Sequence, residues 1–124
     1  MSKILLSINP QYVDNILSGV KKYEYRTKVA KQDVDALVIY STSPVKHVIG
    51  EVKVIEVLEL PPEALWEETK DYSGITKAFF DSYFKDRDIT YAYHLGEVTV
   101  YKEPLGLSHY GIKAPPQSFV YLKY

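Results

Sequence analysis

The sequence predicts an α+β fold in which five or six mostly antiparallel strands form a barrel and about three helices lie at its periphery. Three observations lead there. Short apolar, β-branched runs recur between turn residues along the whole chain. Three stretches switch instead to a helical repeat. Val48 to Leu58 is too β-branched for anything but an extended strand, yet it contains Gly50 and the adjacent apolar pair Val54-Ile55. Both mark a bend or bulge of the kind that turns a strand around a barrel corner.

Lys3 to Ile8 is a short apolar run, read as a strand buried on both faces. Pro10 to Ser18 follows as an amphipathic helix, with Tyr12, Val13, Ile16 and Leu17 on the inward face. Asn9 is its cap, Pro10 needs no amide in the first turn, and Gly19 is the expected stop. Lys22 to Thr27 alternates with period two, placing Tyr23, Tyr25 and Thr27 opposite Lys22, Glu24 and Arg26. Lys28 to Asp33 is a polar loop, and Ala36 to Tyr40 is the most apolar segment, a central strand ending in the turn Ser41-Thr42-Ser43-Pro44. After the long strand, Pro61-Pro62 is a stop, and Glu63 to Lys70 reads as a helix with Leu65, Trp66 and Thr69 inward. Ser73-Gly74 breaks it. Thr76 caps a further helix, whose Phe79, Phe80, Tyr83 and Phe84 share one face as core or as a partner-binding groove. Thr90 to Tyr101 alternates again, and Gly96-Glu97 is expected to kink or turn it into two strands. Pro104 to Pro116 is a loop with a short turn near Ser108-His109-Tyr110, and Phe119 to Leu122 closes the chain as a strand.

Chemistry concentrates in Gly19-Val20-Lys21-Lys22-Tyr23-Glu24-Tyr25-Arg26, at the junction of the first helix and second strand. Between Val20 and Lys31 five cations (Lys21, Lys22, Arg26, Lys28, Lys31) face one carboxylate, Glu24, which makes the segment a candidate anion site. Charges on a strand ordinarily mark a solvated face. Against that reading, Glu24 and Arg26 are neighbours on one face, the spacing expected of a pre-oriented carboxylate–guanidinium pair.

Gly19, Lys21, Glu24 and Arg26, read as Gly-x-Lys-x-x-Glu-x-Arg, resemble the signature of the ASCH domain, a branch of the PUA-like superfamily. Leu5-Leu6-Ser7-Ile8-Asn9-Pro10 and Val38-Ile39-Tyr40-Ser41-Thr42-Ser43-Pro44 are similar to the flanks of that motif, chiefly in small stand-alone members. The resemblance implies a PUA-like barrel over residues 1–124 as one domain, with the serine-threonine loop bordering the lysine–arginine strand. It also implies a nucleic-acid-binding, regulatory module, with RNA as the partner. Some similar proteins are hydrolases that deacetylate modified cytidines, and others are ribonucleases. Lys21 matches the lysine of the deacetylating branch, whereas Glu24 stands where that branch carries a threonine, so the same hydroxyl nucleophile is absent.

Composition narrows the field. A length of 124 residues suits one core, and 46% hydrophobic with 25% charged residues is ordinary for a globular chain. No apolar run approaches the roughly 20 residues of a membrane helix, and no signal peptide opens the chain, so a cytoplasmic location is the default. With no cysteine there is no disulfide, thiol nucleophile or thiolate metal site, and His47, His94 and His109 lack metal-ligand spacing. No phosphate-cradling glycine loop or Ser-His-Asp order is present, and no cofactor is expected. A net charge of −1 argues against a generic polyanion binder, although Glu56, Glu59, Glu63, Glu67, Glu68 and Asp71 form a separate acidic stretch against Lys70 alone. Twelve tyrosines serve cores, interfaces and base-stacking surfaces alike.

The candidate nucleic-acid site comprises Lys21, Lys22, Glu24, Arg26, Ser41, Thr42, Ser43, Lys46 and Gln117. Lys21, Lys22 and Arg26 would hold phosphate or a base edge, and Glu24 would orient Arg26 or accept from a base amine. Ser7 and the Ser41-Thr42-Ser43 hydroxyls are turn or capping groups unless they border the cleft. Lys46 would add a cation, and Gln117, after Ala114-Pro115-Pro116, would form one rigid wall. Were the chain an enzyme, Lys21 and Glu24 are the catalytic candidates, with Lys21 needing a pKa lowered by burial or by the neighbouring cations. His94 reads as a satisfied strand residue and His109 as a loop residue. The third alternative is a protein-interaction domain acting through the aromatic helix.

Overall fold

A computed structural model describes residues 2–31 and 33–122. In chain order its elements are β1 (Lys3–Ile8), α1 (Pro10–Leu17), β2 (Tyr23–Arg26), β3 (Ala36–Ser41), β4 (His47–Leu60), α2 (Pro62–Thr69), α3 (Lys77–Tyr83), β5 (Thr90–Leu105) and β6 (Phe119–Leu122). Single-turn 3-10 segments at Lys70–Tyr72 and Leu107–Tyr110 follow α2 and β5. One six-stranded sheet runs β2-β5-β4-β3-β1-β6 and curls into a half-barrel. Every pairing is antiparallel except β1 with β3. That parallel pair needs a crossover, and α1 with β2 supplies it.

β1 and β3 read as continuously apolar because both faces are covered. Ile4, Leu6, Leu37 and Ile39 face inward with Val13 and Ile16 of α1, while Leu5, Val38, Tyr40 and Val48 pack outward under Leu107, Tyr110, Ile112 and Val120. A third cluster joins Tyr25 and Ala92 of the sheet to Leu65 of α2 and to Phe80 and Phe84 at α3. The α1 termini follow the sequence closely. Asn9 Oδ1 accepts from the Gln11 amide at 3.0 Å, Pro10 takes the first turn, and Gly19 carries a φ of 86° beyond the C-cap.

Two expectations change. Gly96-Glu97 does not divide the chain, because β5 is one strand from Thr90 to Leu105, paired with the similarly long β4 on both sides of that position. The sheet bends through β4 instead, with register shifts at Val48/Gly50, Val52/Val54 and Val54/Glu56. Gly50 permits the closest approach, since a Cβ there would collide with the Thr99 carbonyl. Nor do the four aromatics at α3 share one environment. Phe80 and Phe84 are buried, whereas Phe79 and Tyr83 are 44% and 37% exposed. A seven-residue helix on the outside of the barrel has a core on one side only.

Candidate functional site

Past Gly19 the chain is pinned between two helices. The Lys21 amide donates to the Asn15 carbonyl at 2.9 Å, and the Lys22 amide donates to Tyr72 O at 2.9 Å. This fixes opposite fates for adjacent lysines. Lys21 is 2% exposed, and its Nζ donates to the Ser73 carbonyl at 2.6 Å, lying 4.8 Å from the Tyr25 ring centroid and 5.6 Å from that of Tyr12. Gly74 makes the passage possible. It has a φ of 68°, and a Cβ there would sit 2.7 Å from Lys21 Cβ and Cγ. Lys22 is exposed, with its Nζ 4.4 Å from the Tyr72 ring centroid.

Burial pushes the Lys21 ammonium down to about 8, Glu24 opposes that shift, and Arg26 adds to it. Its neighbour Tyr25 is moved the other way. Burial raises its phenol to about 12, against the hydrogen bond it donates to Thr69 Oγ1 at 2.7 Å.

Glu24 and Arg26 meet as the alternation on β2 requires, but not on a solvated face. Arg26 Nε donates to Glu24 Oε2 at 3.0 Å, its second nitrogen lies 2.9 Å from the same oxygen, and the two side chains are only 14% and 9% exposed. The guanidinium also donates to the Ser7 carbonyl at 2.9 Å. In the sheet, β6 pairs with β1 only from Lys3 to Leu6, so Ser7 O lies just past its end. Arg26 therefore clasps the edge strand β2 across the open side of the half-barrel to β1. Ser7 Oγ in turn donates to Pro116 O at 2.9 Å, anchoring the segment before β6.

Around these groups lies a cavity of about 190 Å³, lined by Tyr12, Lys21, Glu24, Arg26, Phe79 and Tyr83, among others. Of the other candidates, Ser41 is buried opposite Ile8 and His47 in the sheet. The Thr42 amide bonds Ile8 O at 3.0 Å, next to the cleft residues Ser7 and Ile8. Ser43, Lys46 and Gln117 are exposed and do not line the cavity, nor does Lys22, which lines a separate groove with His94. His94 stacks on Tyr23 at 4.7 Å, and His109 packs on Tyr110. Among the described residues no three His, Cys, Asp or Glu side chains gather as a metal site, and no helix is long and apolar enough to cross a membrane.

Sequence reasoning missed Tyr12, Tyr25, Ser73, Gly74, Phe79 and Tyr83 as parts of this site. The abundance of tyrosine was one signal. The Ser73-Gly74 pair was another, and it reads as a helix stop without its partner Lys21 in view.

The ASCH domain profile matches residues 6–103, which include every residue lining the cleft. Over 124 residues the chain is 27% identical to the ASCH domain-containing ribonuclease of Zymomonas mobilis, covering 96% of this chain and 83% of that one. It is 29% identical over 122 residues to the large ribosomal subunit protein uL22 of Ureaplasma parvum, covering 97% of this chain and spanning only 39% of that relative's length. The crystal structure of the Zymomonas mobilis ASCH protein shares the fold with a TM-score of 0.89 at 24% identity, over 98% of this chain and 87% of that one. Profile, fold and the Gly19-Lys21-Glu24-Arg26 signature agree: the chain belongs to the ASCH domain family.

Proposed function

We propose that the protein is an RNA-binding module that takes one unpaired base of a single strand into the cleft between α1, β2 and α3. The observation that carries this reading is convergence. A buried lysine, a carboxylate–guanidinium pair and four aromatic rings line one cavity of about 190 Å³. Drug-sized sites run to roughly 300–1,000 Å³, so the cleft suits a single base. Splayed RNA bases are held by aromatic stacking and by hydrogen bonds to their edges. Arg26 engages Oε2 of Glu24, and Oε1 would accept from an exocyclic amine of the base. The ribonuclease among the relatives supports RNA as the polymer.

The test is binding of a short single-stranded RNA, followed by fluorescence anisotropy. Lys21→Met is expected to weaken it about tenfold or more, the worth of one charge-assisted hydrogen bond. Lys22→Ala should stay within about twofold, the scale of an exposed contact. Because Glu24 offsets Arg26, the log-affinity against log-salt slope should be shallow, about 0.7 or less, the value for one phosphate contact. Equal losses in both variants, or a steep slope, would put the RNA elsewhere on the molecule.

A second reading, hydrolysis of that RNA, is favoured by Lys21, whose pKa of about 8 suits a general base. Neutral Lys21 would take the 2′-hydroxyl proton as that oxygen attacks the adjacent phosphorus. The bond from phosphorus to the 5′-oxygen then breaks, and water protonates the leaving oxygen. Glu24 is less suited because Arg26 already holds it. Turnover that rises through pH 8, requires the 2′-hydroxyl and vanishes in Lys21→Met is the expected signature; an RNA left intact by the wild type would end this reading and leave the binding one in place.

A further inference from the structure

We propose that Phe79 and Tyr83 form a second stacking subsite, beside the cleft, for the base adjacent to the one inside it. This rests on the binding reading above and makes the occupant a two-nucleotide step of unpaired RNA. The two rings sit four residues apart on α3 with centroids 6.2 Å apart and planes only 11° from parallel, so their faces point the same way. Phe79 meets the cleft wall directly, edge-on to Tyr12 at 5.9 Å. Both rings line the cleft as well as standing 44% and 37% exposed, so the platform is continuous with the cavity.

The platform is rigid. Phe80 and Phe84, on the adjoining inward flank of the same helix face, pack against Tyr25, with ring centroids 5.4 and 6.2 Å away, and Phe80 contacts Trp66 at 5.0 Å. Thr76 caps the helix by accepting from the Phe79 amide at 3.1 Å, and the Tyr83 ring packs edge-on against Phe84 at 4.8 Å. The surroundings are electrically quiet. Lys77 and Asp81 of the same helix pair at 2.6 Å, and Glu24 offsets Arg26. A rigid, neutral, paired aromatic surface beside a base-sized cleft fits the π-face of a nucleobase better than a charged peptide.

The experiment compares NMR titrations with nucleoside monophosphates and with the corresponding dinucleotides, using wild type, Phe79→Ala and Phe79→Trp. Wild type is expected to bind dinucleotides more tightly than mononucleotides. Phe79→Ala should lose about tenfold more for dinucleotides than for mononucleotides, within the range of one base–aromatic stack. Phe79→Trp should restore dinucleotide binding and show fluorescence quenching on titration. Unchanged dinucleotide affinity in Phe79→Ala overturns the subsite while the cleft reading stands. Equal loss for both ligands makes Phe79 a wall of the cleft and also overturns it. Failure of the wild type to bind either ligand removes both readings. Wild-type self-association in sedimentation that Phe79→Ala abolishes would assign the pair to contact between copies.

Discussion

Lys21, buried, and Arg26, largely buried, are cations in the same cleft, yet they are held in opposite ways. Arg26 is neutralised by Glu24 and donates onward to the Ser7 carbonyl, so its charge is absorbed by the architecture. Lys21 sits against one carbonyl and two aromatic rings, with Glu24 acting on it only through space, and burial lowers its pKa to about 8. The guanidinium cannot give up its proton, so it serves as a fixed clasp. The ammonium can, so it is the group whose charge state the cleft controls. Clasp and titrating group stand five residues apart in one motif.

The largest effect should come from breaking the clasp. Arg26→Ala strands a buried carboxylate and frees β2 from β1, which should cost about 3–5 kcal/mol in urea denaturation. The double variant Glu24→Gln, Arg26→Met should recover much of that, because no charge is left alone. A single-variant loss under about 1 kcal/mol would mean that the clasp is not structural.

Lys21 makes the next prediction, through pH. Its folded pKa lies below the unfolded value of 10.5, so between about 8 and 10.5 the unfolded chain binds more protons. Stability from this group is therefore complete above 10.5 and is lost as pH falls through 8. The full swing is about 3 kcal/mol from the separation of the two values. Tyr25, raised to about 12, works in the opposite direction above pH 10, so the clean window is pH 8 to 10. There, wild-type stability should climb, and Lys21→Met should be flat; a parallel climb in both would deny that Lys21 is buried as a cation.

The smallest effect belongs to Lys22. An exposed contact with the Tyr72 ring contributes under about 1 kcal/mol, so Lys22→Ala should scarcely shift the denaturation midpoint. A larger loss would erase the distinction between the neighbouring lysines.

Much of the fold was legible because it is local. The Asn9 cap, Pro10, the apolar stripe of α1 and the Gly19 stop are decided within a few residues, and so is the alternation that places Glu24 beside Arg26. Gly96 misled for the opposite reason. A glycine interrupts a strand only if its partner allows it, and β4 runs alongside β5 on both sides of that position. The aromatic pairs at α3 separate because periodicity reports a face and not what lies against it. Phe80 meets Tyr25 and Trp66 in the fold, while Phe79 meets Tyr12 at the cleft wall and keeps a half-exposed ring.

The sequence by itself determined the family signature, the α+β class and the Glu24–Arg26 pairing, since each depends on spacing along one element or one motif. Only the tertiary structure decided which of two adjacent lysines enters the cleft and loses proton affinity. That choice rests on a carbonyl 52 residues away and on the glycine beside it, brought to Lys21 by the packing of α2 and α3 on the sheet. Burial is a property of what the whole chain places around a group, and no local pattern encodes it.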